Sequence, residues 1–335
     1  MGLSTFGVTF AVALPVLWSA AAAGGHGAGA NAASSFVSLY PLYSPSEIDQ
    51  YSLASGRQLG VLAPVPSPPD ARQDSRVSNP HRLSNGDYVI ALGHGAKCAS
   101  SHGACHPIAN TCASQIETID PATQSYQLLS SVSGAWLVDD AVPSPNGRSV
   151  ALVEEACNGT AAQLAVRDLL SGRQHIVARR LSVCGLDSSV TWTSNGTKLA
   201  FAYARHHLTS ACALAIAPAV RTTLPASWTV IQPDAKCSFQ SAASDATGLV
   251  ATESCTTSRG NELVQMAGSG RVVRRVSLQP DYSRAVTVTS DPWAHTVLVS
   301  QVVPTEPDES WVWTFNGRKL HLVRYYFGAD IVAEP

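Results

Sequence analysis

The chain has 335 residues, 45% hydrophobic and 14% charged, with 22 basic against 24 acidic side chains and a net charge of −2. That apolar share excludes disorder for most of the chain. Without a basic excess there is no counterion release from a phosphate backbone, which excludes nucleic-acid binding as the main activity.

The first charged side chain is Glu47 and the first basic one is Arg57. Before them an apolar run from Phe6 to Ala23 leads into small residues, and Ala21-Ala22-Ala23 and Ala28-Gly29-Ala30 each offer an A-x-A-like cleavage site. Residues 1–30 are therefore expected to be a signal peptide and small-residue leader, and residues 31–335 a single domain. The mature protein is expected to be secreted or extracytoplasmic, in the cell envelope, with no membrane span. Since no basic residue precedes the run, the alternative is an anchor formed by an uncleaved N-terminal helix. The ratio of 18 Arg to 4 Lys fits a GC-rich bacterial source. All eight cysteines lie between Cys98 and Cys255. In an exported chain an even count reads as a disulfide framework.

Internal repeats come next along the chain. HRLSNGDYVIALGHG, AWLVDDAVPSPNGRSVALVEEAC, SSVTWTSNGTKLAFAYA and QSAASDATGLVATESC each hold two apolar runs around a turn, at Asn85-Gly86, Asn146-Gly147, Asn195-Gly196 and Thr247-Gly248. Asn-Gly is expected to supply the two positive φ angles of a two-residue hairpin turn. A second kind of hairpin alternates with the first, turning at Ser55-Gly56, Pro121-Ala122, Ser171-Gly172, Ser269-Gly270 and Asn316-Gly317. The spacing of 195 − 146 = 49 residues gives four short antiparallel strands per period, the signature of a β-propeller. Full blades are expected at 80–133, 134–181, 186–232, 237–279 and 283–327. A sixth is completed by joining the N-terminal SSFVSLYPLY and EIDQYSLASGRQLGVLAP to the C-terminal ADIVAE. The fold expected is all-β: six blades of four antiparallel strands, closed by N- and C-terminal strands, with VLAPVPSPPDARQD (61–74) as a surface connection.

VPSPNGRSVALVEEA and VTWTSNGTKLAFAYA resemble the repeat of TolB-like β-propellers, close to W-S-P-D-G-x-x-I-A-F. The likeness is best over 145–330. Asn replaces the consensus Asp, and the tryptophan survives at Trp192. The resemblance implies the fold; the family spans periplasmic scaffolds and substrate-gating domains of peptidases.

Propeller topology places all the cysteines on one face. Cys157 with Cys184, and Cys212 with Cys237, are the pairings expected, each joining neighbouring blades; Cys98, Cys105, Cys112 and Cys255 stay unassigned. Within GHGAKCASSHGACHPIANTC (93–112), His94, His102 and His106 offer a metal site as the alternative to a disulfide-held surface loop. No cofactor is otherwise expected. On the same face, Asp139 and Asp140 are expected to begin an innermost strand. Glu154 and Glu253 are expected to end second strands, with Arg205, His206 and His207 at the equivalent end of blade four. These are the candidate ligand-binding residues. No G-x-S-x-G elbow, H-E-x-x-H helix or phosphate loop is present. The expected role is binding of a protein, peptide or cell-envelope ligand by a monomer. The alternative is a hydrolase or lactonase using channel-mouth carboxylates and histidines, with a divalent metal. Convergence of the carboxylates on one point would favour the enzyme.

Overall fold

A computed structural model describes residues 35–40, 47–52, 57–65, 73–101, 104–107, 112–157, 162–183, 190–204, 211–220, 228–245, 248–256, 260–278, 286–291, 296–302, 309–315, 319–327 and 330–333. Among them every regular element is a strand. Blade one contains β1 (Ser35–Tyr40), β2 (Glu47–Ser52) and β3 (Gln58–Pro64). Blade two contains β4 (Gln73–Val77), β5 (His81–Arg82), β6 (Tyr88–Ser101), β7 (Ala104–Pro107), β8 (Cys112–Asp120) and β9 (Ser125–Gly134). Blade three is β10 (Trp136–Pro143), β11 (Ser149–Ala156), β12 (Ala162–Asp168) and β13 (Gln174–Val183). Blade four is β14 (Val190–Trp192), β15 (Lys198–Ala204), β16 (Ala213–Pro218) and β17 (Thr229–Ile231). Blade five is β18 (Cys237–Asp245), β19 (Gly248–Cys255), β20 (Asn261–Met266) and β21 (Val272–Ser277). Blade six is β22 (Val286–Asp291), β23 (Thr296–Val302), β24 (Glu309–Phe315) and β25 (Leu320–Phe327). The last strand, β26 (Asp330–Ala333), returns to blade one and pairs with β1 from Phe36↔Ala333 to Leu39↔Asp330, giving the order β26-β1-β2-β3. The two ends of the chain thus share one sheet, as expected. Two boundaries differ from expectation. Blade two starts at Gln73 rather than near residue 80, so the Pro-rich stretch contributes to β3 and β4 at its ends. The end of β13 also crosses over to pair with β15 at Ser182↔Ala204 and Val183↔Tyr203, joining blades three and four in one sheet.

The middle strands of each blade are near-continuous apolar runs because both of their faces are covered. Five of the eight residues of β11 and six of the seven of β15 are buried, against one of the ten in the outermost β9. Neighbouring sheets bury shared apolar cores. Ile48, Leu62 and Ala63 of blade one pack with Tyr88, Ile90 and Ile119 of blade two. Val89, Ala91 and Ile116 meet Val138, Ala141, Val150 and Leu152 of blade three. Further layers join blades three and four, four and five, and five and six, and β26 lies against β22 and β23. Each buried Leu, Ile or Val contributes about 1.5–3 kcal/mol.

The Asn-Gly turns depart from expectation. Among the described residues the only non-glycine positive φ angles are at Gln124 and Lys236, so the asparagines are not left-handed. Instead Gly86, Gly147 and Gly196 donate their N–H to the carbonyls of Leu83, Ser144 and Thr193 at 3.0, 2.8 and 2.7 Å. This is a four-residue turn in which only the glycine carries positive φ. The Asn side chain acts differently: its Oδ1 accepts the backbone N–H two residues on, from Asp87, Arg148 and Thr197, a local bond that Asn makes readily. Replacing Gly196 (φ +66°) by Ala forces a left-handed L-residue. It should lower stability by about 1 kcal/mol, read as a shift in the denaturant midpoint.

The Tyr126 hydroxyl donates to the Pro64 carbonyl, tying blade two to blade one. Burial, aided by the nearby charge of Glu117, raises its pKa from about 10 to about 12. Between those values the unfolded chain has lost the phenol proton that the folded one keeps. Stability should therefore be level below the lower value and fall as pH rises through the window. A late tyrosinate absorbance step that Tyr126→Phe removes is the check.

Candidate functional site

In blade three the β10–β11 register runs Val138↔Glu154 and then Asp140↔Val153, which leaves Asp139 as an extra, bulged residue. Blade five repeats this: Phe239↔Glu253 precedes Ser241↔Thr252, and Gln240 is the bulged residue. A bulge breaks the alternation and re-aims a side chain. Asp139 and Gln240 stay partly exposed while Asp140 and Ser241 are buried. Asp139 and Asp140 therefore lie in the middle of an innermost strand, not at its start as expected. The Asp140 carboxylate accepts the Ala141 N–H and sits 2.9 Å from Nε2 of His81, on β5 of the preceding blade. Its second oxygen is buried without a hydrogen-bond partner among the described residues. His81 was missed by sequence reading, because two short strands broken by Ser78-Asn79-Pro80 hide its position opposite Val89.

Glu154 and Glu253 occupy equivalent register positions in blades three and five. Both are sealed, at 1% and 0% exposure. The Glu154 carboxylate accepts from the amides of Gln163 and Gln174. Glu253 is paired with Arg275, whose guanidinium also reaches Glu262 at 3.0 Å and Asp234 at 3.4 Å; the Asp234 N–H donates to Glu253 at 3.0 Å. Burial opposes the charge on Arg275, but the bonds and charges of Glu253, Glu262 and Asp234 together outweigh it and raise its pKa. Glu154 and Glu253, expected as ligand-facing groups, thus stand in different blades, each satisfied there and buried. The physical reason is their strand register: Glu154 shares a face with Val150 and Leu152, and Glu253 with Leu249 and Ala251, the faces that pack against the preceding sheet. Arg205, His206 and His207 lie outside the described residues.

The cysteines also differ from expectation. Cys112 is bonded to Cys157, with Cα atoms 5.9 Å apart, and Cys237 to Cys255; Cys212 is disulfide-bonded too. The expected bridges of Cys157 to Cys184 and Cys212 to Cys237 are therefore replaced. Cys237 and Cys255 form the first cross-strand pair of β18 and β19, so they bridge within one blade. Cys112 opens β8 beside the turn after β11 and does join neighbouring blades. Disulfides persist in oxidising compartments, which points to an extracytoplasmic chain. Within 93–112 the described residues are strand: β6 runs on to Ser101 and pairs with β7. His94 stands opposite Ala113 and His106 opposite Ala99, so about 15 Å of strand separates the two backbones; the side chains of His94, His102 and His106 lie outside the described residues. Trp192 is buried and donates from its indole to the Val142 carbonyl at 2.9 Å, pegging blade four to blade three. No described helix is long and apolar enough to cross a membrane.

No family model matches the chain, and no curated protein matches it in sequence. Solved structures do match in fold. TolB from Acinetobacter baumannii superposes with a TM-score of 0.59 at 12% identity, over 90% of this chain and 66% of that one. A prolyl endopeptidase gives a TM-score of 0.49 at 11% identity, over 90% of this chain and 49% of the other. The periplasmic gluconolactonase of Pseudomonas aeruginosa gives 0.45 at 15% identity, over 91% and 100%. The TolB match establishes a TolB-like β-propeller fold; this chain spans just under two thirds of that protein's length.

Arg275→Met would leave Glu253 buried without its counter-charge. Since Glu253 is fully buried but Arg275 keeps 26% of its side chain exposed, the loss should reach about 3 kcal/mol, the low end of the range for a broken buried pair. Urea unfolding measures it, and Arg275→Met with Glu253→Gln should recover most of the loss.

Proposed function

We propose that residues 31–335 form one exported, disulfide-stabilised propeller domain, preceded by a leader, that works as a monomeric scaffold binding a protein, peptide or cell-envelope ligand. The observation that carries this reading is the fate of the acidic side chains. Those that could have built a common catalytic point are spent on separate partners: Glu154 on two glutamines and Glu253 on Arg275, each within its own blade, and Asp140 on His81 of the preceding blade. The groups proposed to meet the ligand are Asp139, which is partly exposed on the innermost strand, with Arg205, His206 and His207 at the equivalent end of blade four.

One observation favours a second reading, a propeller hydrolase or lactonase. The Asp140 carboxylate orients the His81 ring through Nε2, leaving Nδ1 as the nitrogen available to a substrate. The two readings are separated by assaying the purified mature protein for chemical crosslinking to envelope components and for turnover of ester and lactone substrates. A saturable crosslinked partner, weakened at least tenfold by Asp139→Asn or Arg205→Ala, supports the scaffold. Turnover abolished by His81→Gln would replace it with the enzyme.

A further inference from the structure

The outermost strands of the blades carry charge of one sign. Together β3, β9, β13, β17, β21 and β25 hold five arginines (Arg179, Arg180, Arg274, Arg275 and Arg324) and no Asp, Glu or Lys. In blade five the strand order ends on β21, which pairs with β20 on one side and leaves its other edge open. An open edge offers backbone N–H and C=O groups to an added strand. This edge also carries apolar surface, with Val272 38% and Val273 59% exposed. Val273 is the extra residue of a bulge, since Met266↔Val272 is followed by Gln265↔Arg274. Exposed Arg271 and Arg274 bracket the two valines. Among the described residues neither has an acidic partner, unlike Arg275, which Glu253, Glu262 and Asp234 hold. The Gly270 turn that opens β21 lies against Ile231 and Thr229 of β17, so the edge is held in place before any partner arrives.

We propose that this edge docks an extended acidic peptide of a partner protein, added to β21 as a further strand. Main-chain hydrogen bonds give such an addition its affinity, and side chains at alternate positions give it specificity. Arg271 and Arg274 take carboxylates of the incoming strand, which the guanidinium fork binds in pairs of hydrogen bonds. Val272 and Val273 cover its apolar side chains. Arginine at an open edge discourages pairing with a basic strand, including β21 of a second copy, and admits an acidic one. That selectivity separates β21 from the other described edges. Leu59, Val61 and Leu128 are exposed on β3 and β9 without a charge in either strand, β13 is joined to β15, and β17 is three residues long. The six residues of β21 match a partner segment of about 20 Å. The surface is separate from Asp139, and the inference does not rest on the binding role proposed above.

The test uses the full-length mature protein and a short fluorescein-labelled peptide in which glutamate alternates with valine. Fluorescence anisotropy should show saturable binding that weakens as salt is raised, and the same peptide with lysine for glutamate should not bind. Arg271→Ala with Arg274→Ala should weaken binding at least tenfold. Arg271→Glu with Arg274→Glu should transfer the preference to the lysine peptide, an outcome that a misfolded variant would not give. N-methylation of the peptide amides, which removes the ladder donors from both of its edges, should abolish binding. The proposal is overturned if the glutamate peptide does not bind, if its N-methylated form binds as well, or if charge reversal leaves it bound. It is equally overturned if phosphatidylglycerol vesicles bind through the same arginines while the peptide does not.

Discussion

No blade of this protein is self-sufficient, because its middle strands are apolar on both faces. A lone sheet such as β10–β13 would expose Val150 and Leu152 on one side and Ala151 and Val153 on the other, all at or below 9% exposure here. Face-to-face packing of successive sheets is therefore the constraint on which everything else depends. It explains the low charge of the chain, since few strand positions meet water. It also explains the pairing of β26 with β1, which joins the two chain ends in one sheet and leaves fewer open edges.

Polar pegs add direction to this apolar packing. The Val138 N–H donates to the Ser114 hydroxyl across blades two and three, and the Val288 N–H to Ser241 across five and six. The Trp192 indole does the same across three and four. Apolar faces alone tolerate sliding; hydrogen bonds with defined partners set one arrangement between sheets. The buried acids belong to the same logic. Glu154 and Glu253 sit at equivalent places in alternate blades, and each is satisfied locally. A carboxylate placed there ties the strands of its own blade together at the expense of chemistry that would need it exposed.

Much of the fold was legible before any coordinates. The hairpins around Asn85-Gly86, Asn146-Gly147 and Asn195-Gly196 are local objects, and their apolar runs announce strands within a few residues. Even there the turn mechanism was misread, because Asn makes its side-chain bond to the backbone two residues on instead of adopting positive φ. The candidate site was less legible. His81 went unnoticed since its partner Asp140 is 59 residues away, and Asp139 differs from Asp140 only through a bulge that no composition pattern marks.

The sequence by itself determined the all-β class, the repeat of four strands and the contribution of both chain ends to one blade. Those features follow from alternation and turn chemistry, which act over a few residues. Only the tertiary structure decided which cysteines bond and which acids are sealed. Bonding of Cys112 to Cys157, and of Cys237 to Cys255, depends on strand register and on the meeting of neighbouring sheets. Burial of Glu154 and Glu253 depends on which face the preceding blade covers. The Cys112–Cys157 bond and the cover over both acids join residues of different blades, far apart in the chain, and local pattern does not encode them.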